Sequence, residues 1–196
     1  MPKLVDHDER RAQIVAAARQ VVAKLGMEAT TVRRIATEAG CSSGVLHHYF
    51  RDKDDILLHA LKSCHAGIHE RLRRELAGLH GLAALRAMLL DTLPIDAQRL
   101  AESRLEMQFW ARSLAEPELI EVYLHESSVF RGAIERYLGE ALADGSLSAS
   151  LDVVEAAEHL HAFVDGISVQ ATLEPSHLPA ERQAQMLDDG LATLPR

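Results

Sequence analysis

Apolar residues along the chain recur three and four positions apart rather than alternating, and that period predicts helices from end to end. Ile14, Ala18, Val21, Val22 and Leu25 mark a first helix over about 8–25, closed by Gly26. Thr30 or Thr31 caps a short helix that runs through Ala39. Gly40-Cys41-Ser42 makes a turn, and a second short helix follows over about 43–50. Asp52 caps a long helix that begins near Lys53 and reaches toward Leu79. Its apolar face carries Leu57, Leu61, Cys64, Ile68, Leu72 and Leu76.

Further helices are predicted over about 82–93, stopped by Pro94, and over about 96–114. Pro117 suits the first turn of the next, which carries Leu119, Ile120, Tyr123, Phe130, Ile134 and Leu138 and ends at Asp144-Gly145. Ser150 caps a helix to about Leu173, and Pro179 opens the last, to about Leu191. No strand, repeat or low-complexity tract is evident, so the fold class is all-α, with about nine helices.

Composition narrows the class. The 196 residues are 47% hydrophobic, which fits a globular protein rather than a disordered one. No apolar run is long enough for a membrane span. The charged N-terminal stretch does not read as a signal peptide. Two cysteines, Cys41 and Cys64, are expected as free thiols of a cytoplasmic protein. The net charge of −8 disfavours nucleic acid until its distribution is considered. Residues 1–51 hold eight Lys/Arg against five Asp/Glu, a net +3 that leaves −11 for the rest. A basic head on an acidic body fits a protein that meets phosphate at one end.

The segment Thr31–Lys53 reads TVRRIATEAGCSSGVLHHYFRDK. Two short helices around a glycine turn are the pattern of a helix-turn-helix. Ala36 is small where the second helix crosses the first, and Gly40 tolerates positive φ at the turn. Ile35, Ala39, Leu46 and Phe50 are spaced to pin the pair against the first helix.

The stretch resembles the DNA-binding domain of the TetR family of transcriptional regulators. The likeness rests on Ile35-Ala36, Ala39-Gly40-Cys41-Ser42, His47-His48-Tyr49-Phe50 and Lys53. Cys41 replaces the usual valine, and His47 replaces a frequent tyrosine, which leaves the base readout of this chain its own. The resemblance implies a DNA-binding domain over residues 1–52 and an effector-binding and dimerisation domain over 53–196. It puts the second short helix in the major groove. Ser42, Ser43, Gly44, Val45 and His47 would then face bases or nearby phosphates, with Gly44 allowing close backbone approach and Val45 able to meet a thymine methyl. Thr31, Tyr49 and Lys53 are candidates for phosphate contacts, and Arg33 for a guanine. The alternative for Arg33 and Arg34 is a solvated surface charge, and for Tyr49 a partly core position.

The stretch from Met107 to Leu173 also resembles the regulatory domain of BetI-like repressors, whose named member responds to choline. Phe109-Trp110-Ala111 and Val164-Asp165-Gly166 carry that likeness. Glu106, Met107, Phe109, Trp110, Tyr123, Phe130 and Phe163 are the candidate effector-binding residues. Aromatic rings beside an acid suit an organic cation, although a plain core explains each ring as well. The resemblance implies a homodimer paired through the last two helices, with Leu160, Val164, Ile167, Leu187 and Leu191 as candidate interface residues. A single intramolecular core is the alternative for them.

Nucleophile elbows, phosphate loops and metal-binding motifs are absent, so no enzyme, cofactor or metal is expected. His65 and His69 stand at i, i+4 beside Cys64, but a third ligand is not evident and a surface pair explains them. The expected partners are double-stranded operator DNA, a second copy of the chain and a small-molecule effector of unknown identity, with no membrane. The expected function is a sequence-specific regulator, a repressor released from an inverted-repeat operator by its effector. The alternative is a helical sensing or interaction module that has lost specific DNA binding.

Overall fold

The computed structural model describes residues 7–114 and 116–196. Nine α-helices are present among the described residues: α1 His7–Leu25, α2 Val32–Glu38, α3 Ser43–Tyr49, α4 Lys53–Glu75, α5 Gly81–Asp91, α6 Ala97–Ser113, α7 Pro117–Ala143, α8 Val153–Leu173 and α9 Ala180–Ala192. None of them is long and apolar enough to cross a membrane. The chain divides into two compact units, Met1–Ile68 and His69–Arg196, and α4 contributes residues to both.

The first unit is built from α1, α2, α3 and the start of α4. Its core joins Ile14, Val15, Ala17 and Ala18 of α1 to Ile35 and Ala36 of α2, Leu46 of α3, Phe50, and Ile56 and Ala60 of α4. Full burial of one such side chain is worth roughly 1.5–3 kcal/mol. The helix ends follow local chemistry. Gly26 leaves α1 with a φ of 77°. Of the two candidate threonines, Thr31 is the cap of α2, accepting from the Arg34 N–H, while the Thr30 hydroxyl donates to the Gly26 carbonyl. Asp52 caps α4 by accepting the Asp55 N–H at 2.8 Å.

The second unit packs α5, α7, α8 and α9 around Leu85, Met88, Leu89, Ile134, Leu138, Leu160, Val164, Ile167 and Leu187. Two boundaries differ from the sequence expectation. α4 ends at Glu75 rather than near Leu79, because Gly78 takes a φ of 82° and turns the chain. The cap of α8 is Asp152, not Ser150: its carboxylate accepts from the N–H groups of Val154 and Glu155, while Ser150 is bonded to Ser148. The histidine pair also differs. His69 is exposed and lies 3.1 Å from Glu126, whereas His65 is buried. The described residues contain no group of three or more metal-ligating side chains.

Candidate nucleic-acid interface and effector site

The turn between α2 and α3 is set by hydrogen bonds that only a positive φ allows. Gly40 has a φ of 64°. The Cys41 N–H then reaches the Ala36 carbonyl at 2.9 Å, and the Gly40 N–H reaches the Thr37 carbonyl at 3.2 Å. This paired closure ends α2 and aims α3 across it. Leu46 and Phe50, one turn apart, are buried and anchor α3 from below. The opposite side is thereby presented to solvent. Ser42, Gly44, His47 and His48 are exposed, and Ser43, Val45 and Tyr49 are half-buried.

Thr31 is exposed at the N-terminus of α2, and Lys53 is half-buried at that of α4. The two arginines of α2 differ. Arg34 donates to the Ala29 carbonyl and steadies its own loop. Arg33 is exposed and its side chain has no partner among the described residues. Tyr49 packs its ring 5.5 Å from that of His7. One contact was not visible in the sequence. Arg11 of α1 donates to the Tyr49 carbonyl at 3.0 Å, across 38 positions of sequence.

In the second unit, α8 presents three faces. Leu160, Val164 and Ile167 point into the core, so the five residues expected at a dimer interface, Leu187 and Leu191 included, are buried within the chain itself. His161, Asp165, Ser168 and Thr172, at helical spacing, form a second, polar face. Ser168 and Thr172 share hydrogen bonds with Ser103 of α6, at 3.1 and 2.7 Å. His161 lies 3.6 Å from Asp165 and sits edge-on to Phe130 of α7 at 5.1 Å. The third face includes Glu155, His159, Ala162, Gln170 and Leu173, all exposed, with half-buried Gly166 among them.

Two candidate effector residues, Glu106 and Phe130, lie beside this polar face. Burial holds the Asp165 carboxyl above its usual range; nearby His161 opposes that rise and the Glu106 carboxylate of α6 adds to it. Trp110 of α6 meets Tyr123 of α7 edge-on at 6.0 Å, and its indole Nε1 is enclosed without a hydrogen-bond acceptor among the described residues. Met107 is half-buried beside this group in sequence. Two expectations fare differently. Phe109 is almost wholly buried, and Phe163 lies against Gly190 of α9. The sequence does not mark Asp165 and His161 as site residues: beyond their own i, i+4 pair, the groups they face, Glu106 and Phe130, stand on other helices.

Comparison with known proteins bears on the whole chain. The family described as "Bacterial regulatory proteins, tetR family" matches residues 14–60. That described as "BetI-type transcriptional repressor, C-terminal" matches residues 81–196. The HTH-type transcriptional regulator PksA of Bacillus subtilis is 30% identical over 185 residues, covering 93% of this chain and 88% of the relative. BetI of Stenotrophomonas maltophilia is 28% identical over 189 residues, 95% and 93% of the two chains. Among solved structures, a transcriptional regulator from Rhodococcus superposes with a TM-score of 0.83 at 27% identity, covering 94% and 95% of the chains. A regulator from Saccharomonospora viridis in complex with choline has a TM-score of 0.87 at 24% identity, covering 96% and 100%.

Proposed function

The chain belongs to the tetR family of DNA-binding bacterial transcriptional regulators, and on that premise we propose that it is a repressor, not an enzyme, that binds an inverted-repeat operator as a homodimer and lets go when a small organic cation binds its second unit. The observation that carries this reading is the exposed face of α3, held outward by buried Leu46 and Phe50. Ser42, Ser43, Gly44, Val45 and His47 would read base edges from it, with Arg33 reaching a guanine. Thr31, Tyr49 and Lys53 would hold phosphates. The working site is the cytoplasm, where bacterial DNA lies.

A two-fold dimer matches a palindromic operator. The outward stripe of α8 supports a pairing surface. Ala162 and Gly166 are small enough for close helix approach, and Leu173 is 72% exposed. These residues replace the five core-facing ones as the proposed contacts.

The effector class rests on the charge of the site. Burial and the neighbouring Glu106 carboxylate both work against the charge of Asp165, and Trp110 and Tyr123 supply π faces. A cation relieves the first and stacks on the second. The Saccharomonospora viridis structure, which holds choline, supports a site of this chemistry in the same fold. Effector binding would shift α4 and change the spacing of the two heads, a coupling typically worth about 1–3 kcal/mol. A thermal-shift screen of ammonium compounds, carboxylates and neutral solutes tests the class. Stabilisation by choline or another quaternary ammonium is the expected result. A response confined to anionic or neutral compounds overturns the cationic assignment.

A further inference from the structure

Arg11 of α1 makes three contacts at one place. It donates to the carbonyl of Tyr49, the last residue of α3, at 3.0 Å. Its guanidinium lies 4.6 Å from the centre of the Phe50 ring. Its Nη2 stands 2.6 Å from Nε2 of His59 on α4. One side chain of α1 thus ties the C-terminal end of α3 to α4. A cation also suits the negative end of a helix.

The His59 contact fixes a protonation state. A guanidinium has donors and no acceptor, so His59 Nε2 must be the acceptor and its ring proton must sit on Nδ1. A second proton would occupy the lone pair that Arg11 uses and set two positive charges side by side. The alternative partner is at hand. Asp55 Oδ1 lies 3.6 Å from the same nitrogen. The groups acting on the ring are Arg11 and Lys62, which repel the charged form, and Asp55, which favours it. Burial of the ring is the largest influence, and with Arg11 it holds the imidazole below its ordinary value of 6.5.

We propose that Arg11 is a positioning residue for α3, that neutral His59 holds Arg11 in place, and that proton uptake by His59 therefore weakens operator binding. In the neutral head, Arg11 bridges Tyr49 and His59. In the protonated head, His59 turns its Nε2–H to Asp55, and the end of α3 loses that support. The inference rests on α3 as the DNA-facing helix. His7, His47, His48 and His65 also lie in this unit, and added positive charge near DNA phosphates favours binding. Comparison with a variant that keeps those four isolates His59.

The test compares the full-length protein with His59→Gln, whose amide oxygen accepts from Arg11 at every pH. Affinity is measured for a duplex enriched from a random pool, between about pH 7.5 and about pH 5.5. The wild-type affinity, divided by that of His59→Gln, is expected to fall about tenfold across that range. An unchanged ratio overturns the proposal. Nitrogen-15 shifts of the His59 ring give a second measurement that needs no DNA. The expected neutral tautomer has the proton on Nδ1. A proton on Nε2 at neutral pH overturns the proposal even if the operator is never found, and separates its failure from failure of the operator reading.

Discussion

Arg71 grips Asp91 at two points, Nε to Oδ1 and Nη2 to Oδ2, each at 2.9 Å, with both side chains nearly closed to solvent. The same guanidinium holds Glu102 of α6 at 2.8 and 3.0 Å. Asp91 in turn accepts from Arg99. Helices α4, α5 and α6 thus meet at one enclosed ionic cluster. Each guanidinium finds a planar partner, which is what makes burial of the charges tolerable.

Removing one partner of such a cluster strands the others. Asp91→Ala is expected to lower stability by about 3–5 kcal/mol in urea unfolding. A loss below about 1 kcal/mol, the range of exposed pairs, would show that the cluster is solvated in solution.

Gly190 permits the contact of α9 with α8. A Cβ at this position would lie 2.5 Å from Cε1 of Phe163. Gly190→Ala therefore forces the ring to turn and is expected to cost about 1–3 kcal/mol. The effect should shrink when Phe163 is already alanine, and a double-mutant cycle reads that coupling. Strict additivity would mean that the two residues do not touch.

Gly44 gives a sharper separation of fold from function. An added Cβ there meets nothing nearer than Ser42 Oγ at 3.8 Å, an ordinary contact. Alanine is also the better helix former by about 1 kcal/mol. Gly44→Ala is expected to keep or raise the melting temperature while weakening operator binding about tenfold, about 1.4 kcal/mol. Unchanged affinity would remove Gly44 from the interface.

Asp165 links stability to effector binding with opposite signs. Its carboxyl titrates above the ordinary 3.8 in the folded chain. The folded state therefore holds that proton more tightly than the unfolded one. This contribution stabilises the fold as pH falls and is lost as pH rises from 3.8 through the folded value. Asp165→Asn removes the buried charge, so the ligand-free protein is expected to melt higher at neutral pH. The same change should abolish stabilisation by choline. A variant that melts higher and still responds fully to choline would show that the cation is held elsewhere.

The architecture was legible because helical period and end signals agree along most of the chain. Gly26, Gly40 and Asp52 each stand where a glycine or an aspartate is locally required. The outward face of α3 was legible for the same reason, since Leu46 and Phe50 fix which side is inside. Contacts between distant helices were not. Nothing near Arg71 announces Asp91 or Glu102, which lie 20 and 31 residues away. Arg11 and His59 are 48 apart. Apolar periodicity on α8 also could not tell a core face from a pairing face. Leu160, Val164 and Ile167 are as regular as an interface stripe, yet they are enclosed by their own chain.

Selection of random duplex DNA by the purified protein at moderate salt tests whether a symmetric pair of α3 helices binds a specific sequence. One inverted repeat is expected to be enriched, with half-site centres about one helical turn apart or a multiple of it. A folded, dimeric protein that enriches no sequence would contradict sequence-specific binding.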